Sequence, residues 1–174
     1  MILWLHGAFG VGKSSVAAEL HRRRPELVPY DPELVGYLLR RSLPVPTGDF
    51  QDLAEWRELV VATGAVLDDA GRRLVLAPMT LLQEQYAGEV FAGLAARGVE
   101  VRHVLLDVAD DELSRRIRTD AAEPGARSWR LERVPAYEAA RPWLVSAADL
   151  VVDTTARTVE QVADEVSGAL PAAR

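Results

Sequence analysis

MILWLHGAFGVGKSSVAAEL, residues 1–20, is the stretch whose reading decides the fold. Met1 to Leu5 is a short apolar run with the pattern of a buried strand. Gly7-Ala8-Phe9-Gly10-Val11-Gly12-Lys13-Ser14 fits the P-loop pattern G-x-x-x-x-G-K-[ST]. Ser15 to Leu20 continues as a helix carrying Val16, Ala17 and Leu20. Strand, glycine loop and helix are the context that the motif requires. The glycines permit torsions that a Cβ would block, so successive N–H groups converge on phosphate oxygens. The helix behind the loop adds roughly half a positive charge at its N-terminus. Lys13 is placed to reach the β- and γ-phosphates, and the Ser14 hydroxyl to bind Mg²⁺. Lys13 is also the sole lysine of the chain; every other basic side chain is arginine or histidine. An otherwise arginine-only composition marks this position as one that needs a compact ammonium.

Composition narrows the possibilities. The chain has 174 residues, 49% of them hydrophobic, so one domain with a substantial core is expected over 1–174. Its net charge of −6 argues against a general nucleic-acid or membrane-surface binder. Without cysteine there is neither disulfide nor thiolate chemistry. The first residues enter the loop strand directly, which leaves no room for a signal peptide, and no apolar run is long enough to span a bilayer. A cytoplasmic protein is expected.

Downstream, strands alternate with helices. The first helix is expected over Lys13 to Arg24, stopping at Pro25, with His21 a surface residue at its end. Glu26 to Tyr30 is a second strand. Asp31-Pro32-Glu33 then opens a helix, with Asp31 at the N-cap and proline at N1, running to about Ser42. Asp31 also lies just past a strand end, where open α/β sheets place ligands, and a carboxylate there is suited to accept a proton from an attacking hydroxyl. After a loop over Leu43 to Gly48, a helix starts near Asp49 and carries Trp56 as core. Arg40 and Arg57 are equally suited to hold an acidic or polar acceptor and to lie on a solvated face. Leu74 to Ala77 is the third strand, and Thr80 is read as the N-cap of the helix after it.

Val101 to Asp107 is the fourth strand, with His103 packed mid-strand. Asp107 is read as a strand-end turn residue in preference to a Walker B magnesium ligand. From Asp110 a helix opens with carboxylates and fills with arginines. A loop over Ala121 to Ala126 follows, then a helix capped by Ser128 that holds Trp129 and Arg133. Arg115, Arg116, Arg118, Arg127, Arg130 and Arg133 thus flank one Pro-Gly loop, the layout of a phosphoryl-transfer lid over about 115–133. Asp149 to Asp153 is the fifth strand, Thr158 to Leu170 a closing helix, and Pro171 to Arg174 a frayed tail. The absence of asparagine rules out a guanine-reading Asn-Lys-x-Asp motif, which leaves a GTPase as a weak competitor.

Five strands alternating with helices, a P-loop on the first and an arginine lid after the fourth resemble the nucleoside-monophosphate-kinase-like P-loop fold, a plan shared by gluconate, shikimate and chloramphenicol kinases. HGAFGVGK at 6–13, YDPELVG at 30–36, DFQDLAEWR at 49–57, VLAPMT at 75–80 and the RRIR and SW segments within 115–129 resemble the tunicamycin-resistance proteins more closely. The resemblance covers about residues 1–135. It implies an α/β fold with a five-stranded parallel sheet in the order 2-3-1-4-5. It also implies MgATP at Gly10, Val11, Gly12, Lys13, Ser14 and Ser15, and an acceptor side near Asp31, Arg40 and Arg57. Nucleotide and phosphate contacts are implied from Arg116 and neighbouring lid arginines, Arg127 among them. The catalytic set is then Lys13, Asp31 and Arg116, with Ser14 as metal ligand. Members of that family confer resistance to tunicamycin, a nucleoside antibiotic with a fatty acyl chain. Phosphorylation of the drug and ATP-dependent capture of it are both open, as is a kinase for an ordinary metabolite. Membrane attachment is not expected.

Overall fold

A computed structural model describes residues 1–45 and 47–170. Five strands, β1 (Ile2–Gly7), β2 (Val28–Pro29), β3 (Val75–Pro78), β4 (Val101–Asp107) and β5 (Leu150–Asp153), form one sheet in the order β2-β3-β1-β4-β5. Every neighbouring pair is parallel. The connections are helices: α1 (Lys13–Arg23), α2 (Glu33–Arg40), α3 (Ala54–Asp68), α4 (Glu84–Ala96), α5 (Asp110–Thr119), α6 (Arg127–Glu132), α7 (Val134–Ala147) and α8 (Val159–Gly168). The α/β class and the strand order agree with the expectation.

Strand β1 is central and buried along its whole length. Its alternation divides the core. Leu3 and Leu5 pack on one face with Val16, Leu20, Leu113, Leu144 and Val166 from α1, α5, α7 and α8. Ile2 and Trp4 pack on the other with Trp56, Val60, Val90 and Leu94 from α3 and α4. A strand covered on both sheet faces buries the side chains of both, which is why β1 reads as a continuous apolar run up to His6. Trp56 is fully buried, as expected of a core residue, and its Nε1–H donates to the Pro32 carbonyl at 3.1 Å.

Several boundaries differ from the sequence expectation, each for a local reason. β1 runs two residues further, through His6 and Gly7, because β4 continues beside it to Leu106. β2 shrinks to two residues at the sheet edge, where β3 alone pairs with it. The Asp49 carboxylate caps a short 3₁₀ turn over Phe50–Asp52, accepting from Gln51 N at 2.9 Å, and α3 proper starts later at Ala54. Thr80 is not a helix cap: it is buried, its hydroxyl donates to the Gly7 carbonyl at 2.8 Å, and α4 begins only at Glu84. Ser128 does not cap either, since α6 already includes Arg127. Helix α7 is additional to the expected elements; its interior Pro142 masks the helical pattern. Thr158 and Gln161 form a reciprocal capping box at α8. The Pro171–Arg174 tail, and Pro46 in the 43–48 loop, lie outside the described residues. Among the described residues no helix is long and apolar enough to cross a membrane.

Candidate active site at the phosphate-binding loop

The loop between β1 and α1 is built from torsions that few residues adopt. Gly7 has φ +144°, and a Cβ there would stand 2.4 Å from the Leu106 carbonyl oxygen. Gly12 has φ +107°, and a Cβ there would meet nothing within 4 Å. Gly12 is therefore demanded by backbone conformation, while the space in front of it stays open. It stands directly before α1, whose first turn receives no side-chain cap. The first N–H groups of a helix have no intrahelical partner, so those of α1 are available to an anion.

Lys13 folds back over the loop. Its Nζ donates to the Gly7 carbonyl at 3.1 Å and the Ala8 carbonyl at 2.8 Å, and lies 5.5 Å from the Phe9 ring centre. Burial pushes the ammonium down to about 7, with Arg130 acting in the same direction and Glu33 opposing. An ammonium that burial disfavours gains from an anionic partner. The open cradle, the uncapped helix start and this lysine fit the phosphates of a nucleoside triphosphate, and the exposed Ser14 hydroxyl beside them fits an octahedral magnesium ion.

A cavity of about 690 Å³ opens over the loop, lined by Gly10, Gly12, Lys13, Ser14, Ser15, Asp31, Glu33, Arg116, Asp120, Glu123 and Arg130 among others. Of the residues singled out in the sequence, Lys13, Ser14, Ser15, Asp31 and Arg116 therefore meet in one place. Val11 is buried beneath the loop, and its carbonyl accepts from Arg116 Nη1 at 3.2 Å. Arg116 also donates to the Thr154 carbonyl at 2.6 Å and to Glu112 at 2.8 Å, so it braces the loop against the segment after β5. Bonds from Arg115 and Arg116 hold Glu112 down at about 2. Asp31 accepts from Glu33 N at 2.9 Å through Oδ1; it stands one residue before the expected cap position, since the N-cap of α2 is Pro32, which offers no side-chain acceptor. That bond uses one oxygen of an exposed carboxylate and leaves the other for chemistry.

The remaining candidates lie elsewhere. Arg127 is outside the cavity lining, its guanidinium turned onto the Asp120 carbonyl. Besides Arg116, the lid arginine that lines the cavity is Arg130, paired with Asp120 and Glu123. Arg40 lines a second, smaller cavity of about 170 Å³ with Glu33, Tyr37, Phe50, Gln51, Trp129 and Arg133 among its other walls. Arg57 lines neither; it pairs with Glu89 at 2.5 Å, donates to the Gln51 carbonyl and stacks on Tyr86. Asp107 is bound by Tyr137 Oη at 2.8 Å and Arg141 Nη2 at 2.6 Å, which agrees with a strand-end role.

Phe9 and Glu33 join the two cavities, and neither stands out in the sequence as a site residue. Phe9 occupies a free position of the motif, and Glu33 has a sufficient reason to exist in the first turn of a helix. The usable signal was the Asp-x-Glu spacing just past a strand end. Phe9 also meets Trp129 of α6 edge-to-face, with ring centres 4.7 Å apart, which ties the lid to the loop.

Comparison with known proteins matches this geometry. The Deinococcus radiodurans tunicamycin resistance protein superposes with a TM-score of 0.74 at 24% identity, over 97% of this chain and 94% of that one. The Mycobacterium tuberculosis APS kinase, in complex with AMPPNP and APS, superposes with a TM-score of 0.67 at 21% identity, over 96% and 95% of the two chains. Shikimate kinase from Aquifex aeolicus gives 0.56 at 20% identity, over 97% and 95%. The fold is thus that of the P-loop kinases. None of the curated proteins matches the sequence. A family described as an AAA domain matches residues 2–141, which include the glycine loop, Asp31 and every lid arginine named above. The chain belongs to that family.

Proposed function

We propose that the protein is an ATP-dependent phosphotransferase that acts on a hydroxyl group of a small molecule, and that the nucleoside antibiotic tunicamycin is its acceptor. The observation that carries the reading is the convergence of Lys13, Ser14, Asp31 and Arg116 on the walls of one cavity at the ends of β1 and β2. Bound MgATP supplies the phosphoryl group, with Gly10 to Ser15 around its phosphates and Ser14 Oγ on the metal. Lys13 and the lid arginines Arg116 and Arg130 offset the charge spread over the transferring group, the main contribution a protein makes to this reaction. Asp31 accepts the proton of the attacking hydroxyl. The segment over about 115–133 closes the cavity and excludes water, so that transfer to the acceptor outruns hydrolysis. Phe9, Trp129, Arg40 and Glu33 hold the acceptor in the smaller cavity. The likeness to the Deinococcus protein supports an antibiotic acceptor, and the likeness to APS and shikimate kinases supports phosphoryl transfer to a small molecule. The enzyme works in the cytoplasm, as a single domain.

The test is incubation with MgATP and tunicamycin beside a panel of nucleosides, sugars and other antibiotics, read by mass spectrometry. A phosphorylated drug is the expected product. Stoichiometric retention of unmodified drug would make the protein an ATP-dependent sequestering factor. Phosphorylation of a panel metabolite alone would make it a metabolic kinase.

A further inference from the structure

Gln51 stands in the 3₁₀ turn before α3 and is 9% exposed. Its backbone N–H donates to the Asp49 carboxylate at 2.9 Å, and its backbone carbonyl accepts from Arg57 Nη1 at 2.6 Å. Its side-chain Nε2 donates to the Thr80 carbonyl at 2.9 Å. Arg57, which lines neither cavity, therefore bears on the site by holding Gln51.

The Thr80 bond decides which way the amide faces. A carbonyl only accepts, so the nitrogen of Gln51 faces Thr80 and Oε1 faces away; the reverse would set oxygen against oxygen. Among the described residues no group donates to Oε1. Nor is that oxygen sealed in the core: among the described residues the fully buried side-chain atoms without a partner are Trp4 Nε1 and Arg102 Nε. Gln51 borders the smaller cavity, so Oε1 presents a fixed hydrogen-bond acceptor to it. An amide oxygen held in this way has lost part of its hydration without gaining a partner, a cost that a bound donor recovers.

The other walls of the cavity agree. Tyr37 Oη is committed as a donor to Glu33 Oε2 at 3.0 Å. The Arg40 guanidinium lies 5.0 Å from the Phe50 ring centre, and that of Arg133 lies 5.1 Å from the Trp129 ring centre, so both cations rest on rings. An occupant meets ring surface and the accepting oxygens of Gln51 and Glu33. A ring that carries N–H or O–H donors matches both. Thr80 also sets the distance to the phosphates. Its hydroxyl donates to the Gly7 carbonyl at 2.8 Å, and the same carbonyl accepts from Lys13 Nζ at 3.1 Å. Gln51 and the phosphate loop are thus anchored on one residue, and a ring held by Oε1 is held in register with the loop.

We propose that Gln51 is a specificity-determining residue of the smaller cavity: its Oε1 accepts a hydrogen bond from an N–H or O–H group on a ring of the acceptor, and so selects a ring that offers the donor over the same ring without it. The proposal rests on reading that cavity as the acceptor side, and it makes the acceptor a donor-bearing ring compound such as a nucleoside.

The experiment measures, by calorimetry on the full chain loaded with AMPPNP, the affinities of uridine, 3-methyluridine, 2′-deoxyuridine and 3′-deoxyuridine. It compares the wild type with Gln51→Met, which keeps the length of the side chain and removes its polar atoms. Structural damage from the substitution lowers the affinity of every probe alike, whereas loss of the contact at Oε1 erases the difference between uridine and one analogue. In the wild type one analogue is expected to bind about tenfold more weakly than uridine, and in the variant the same analogue within about twofold of it. A penalty on the methylated base assigns the bond to the ring N–H, and a penalty on a deoxy sugar assigns it to that hydroxyl. A wild type without any such penalty, or penalties that all persist in the variant, would overturn the proposal. Should the variant not fold, ¹³C NMR of the wild type decides: the Gln51 Cδ resonance must move with uridine and not with the penalised analogue, and equal responses overturn it. Should uridine not bind, the same resonance is read with tunicamycin, and a resonance unmoved by bound drug overturns it. Failure of uridine and tunicamycin alike to bind would sink the reading of this cavity as the acceptor side.

Discussion

The two sides of the cavity are made in different ways. The phosphate side is a run of adjacent residues, Gly7 to Ser15, shaped by its own torsions and by the helix that follows. The side proposed for the acceptor draws Glu33 from α2, Gln51 from a 3₁₀ turn, Trp129 from α6, and Arg133 from the junction of α6 and α7. A wall assembled from distant elements can be retuned one side chain at a time, whereas a loop shaped by its own torsions cannot.

The sharpest way to break this contrast is at Lys13. We expect Lys13→Ala to reduce turnover by at least about a thousandfold, because no second lysine exists to replace the ammonium and the charge of the transferring group concentrates there. Stability should move by about 0.5 kcal/mol or less, since the side chain donates to two loop carbonyls and lies over the Phe9 ring. Labelled-ATP turnover with a thermal melt checks both halves. Surviving turnover would remove the local half of the comparison.

On the lid, the position of each arginine relative to the cavity sets the order of effects. Arg130→Ala should cost about a hundredfold in turnover, less than a full arginine finger because Arg116 remains. Arg127→Ala should cost under about tenfold, acting only through the Asp120 carbonyl that it closes. Steady-state kinetics on the two variants decides, and equal losses would mean that the lid rearranges before it acts.

Asp31 lines the larger cavity, and substitution separates its bond with Glu33 from the catalytic role proposed for it. Asparagine caps a helix about as well as aspartate, so Asp31→Asn should leave stability nearly unchanged and lower turnover by about tenfold. General-base help is often larger, about 10²–10⁴-fold, but loose phosphoryl-transfer transition states keep the proton until late. Asp31→Ala should lose the same activity and about 1 kcal/mol of stability besides. A fully active asparagine variant would reduce Asp31 to its bond with Glu33.

The smallest expected effect is a fraction of a proton. Burial lowers the Lys13 ammonium to about 7 in the free protein, so above that pH much of it is neutral. Phosphates favour the charged form, so nucleotide binding should take up protons near pH 8, and affinity should fall as pH rises further. The unfolded chain holds that proton up to the ordinary lysine value of 10.5, so the lysine's unfavourable contribution in the free fold shrinks as pH climbs from 7 to there. Calorimetry of AMPPNP binding in two buffers of different ionisation enthalpy measures the uptake. The Lys13→Ala variant should show none.

Reading the sequence was most productive where neighbours in the chain are neighbours in the site. Strand, glycine loop and helix lie within twenty residues, and their torsional demands are written into residue type. Strand order came from family likeness, since residue pattern alone carries no sheet adjacency. Thr80 shows the failure in the other direction. A threonine before an apolar helix is a good cap by local rules, yet the Gly7 carbonyl, distant in sequence, captures its hydroxyl. Arg127 and Arg130 are indistinguishable as members of one arginine run, and only the path of the loop between α5 and α6 turns one into the cavity and the other onto backbone.

By itself the sequence determined the phosphate-binding loop, the alternation of strands and helices, and the sole lysine. Each depends on torsional preference, periodicity or composition within a few residues. Tertiary structure alone decided which arginine faces the loop, that Arg57 is committed to Glu89, that Asp107 is held by Tyr137 and Arg141, and that His6 meets His103 and Leu81. Those partners stand between ten and about a hundred positions apart in the chain. Packing of the helices on a five-stranded sheet brings them within hydrogen-bond reach, and no local propensity encodes that distance.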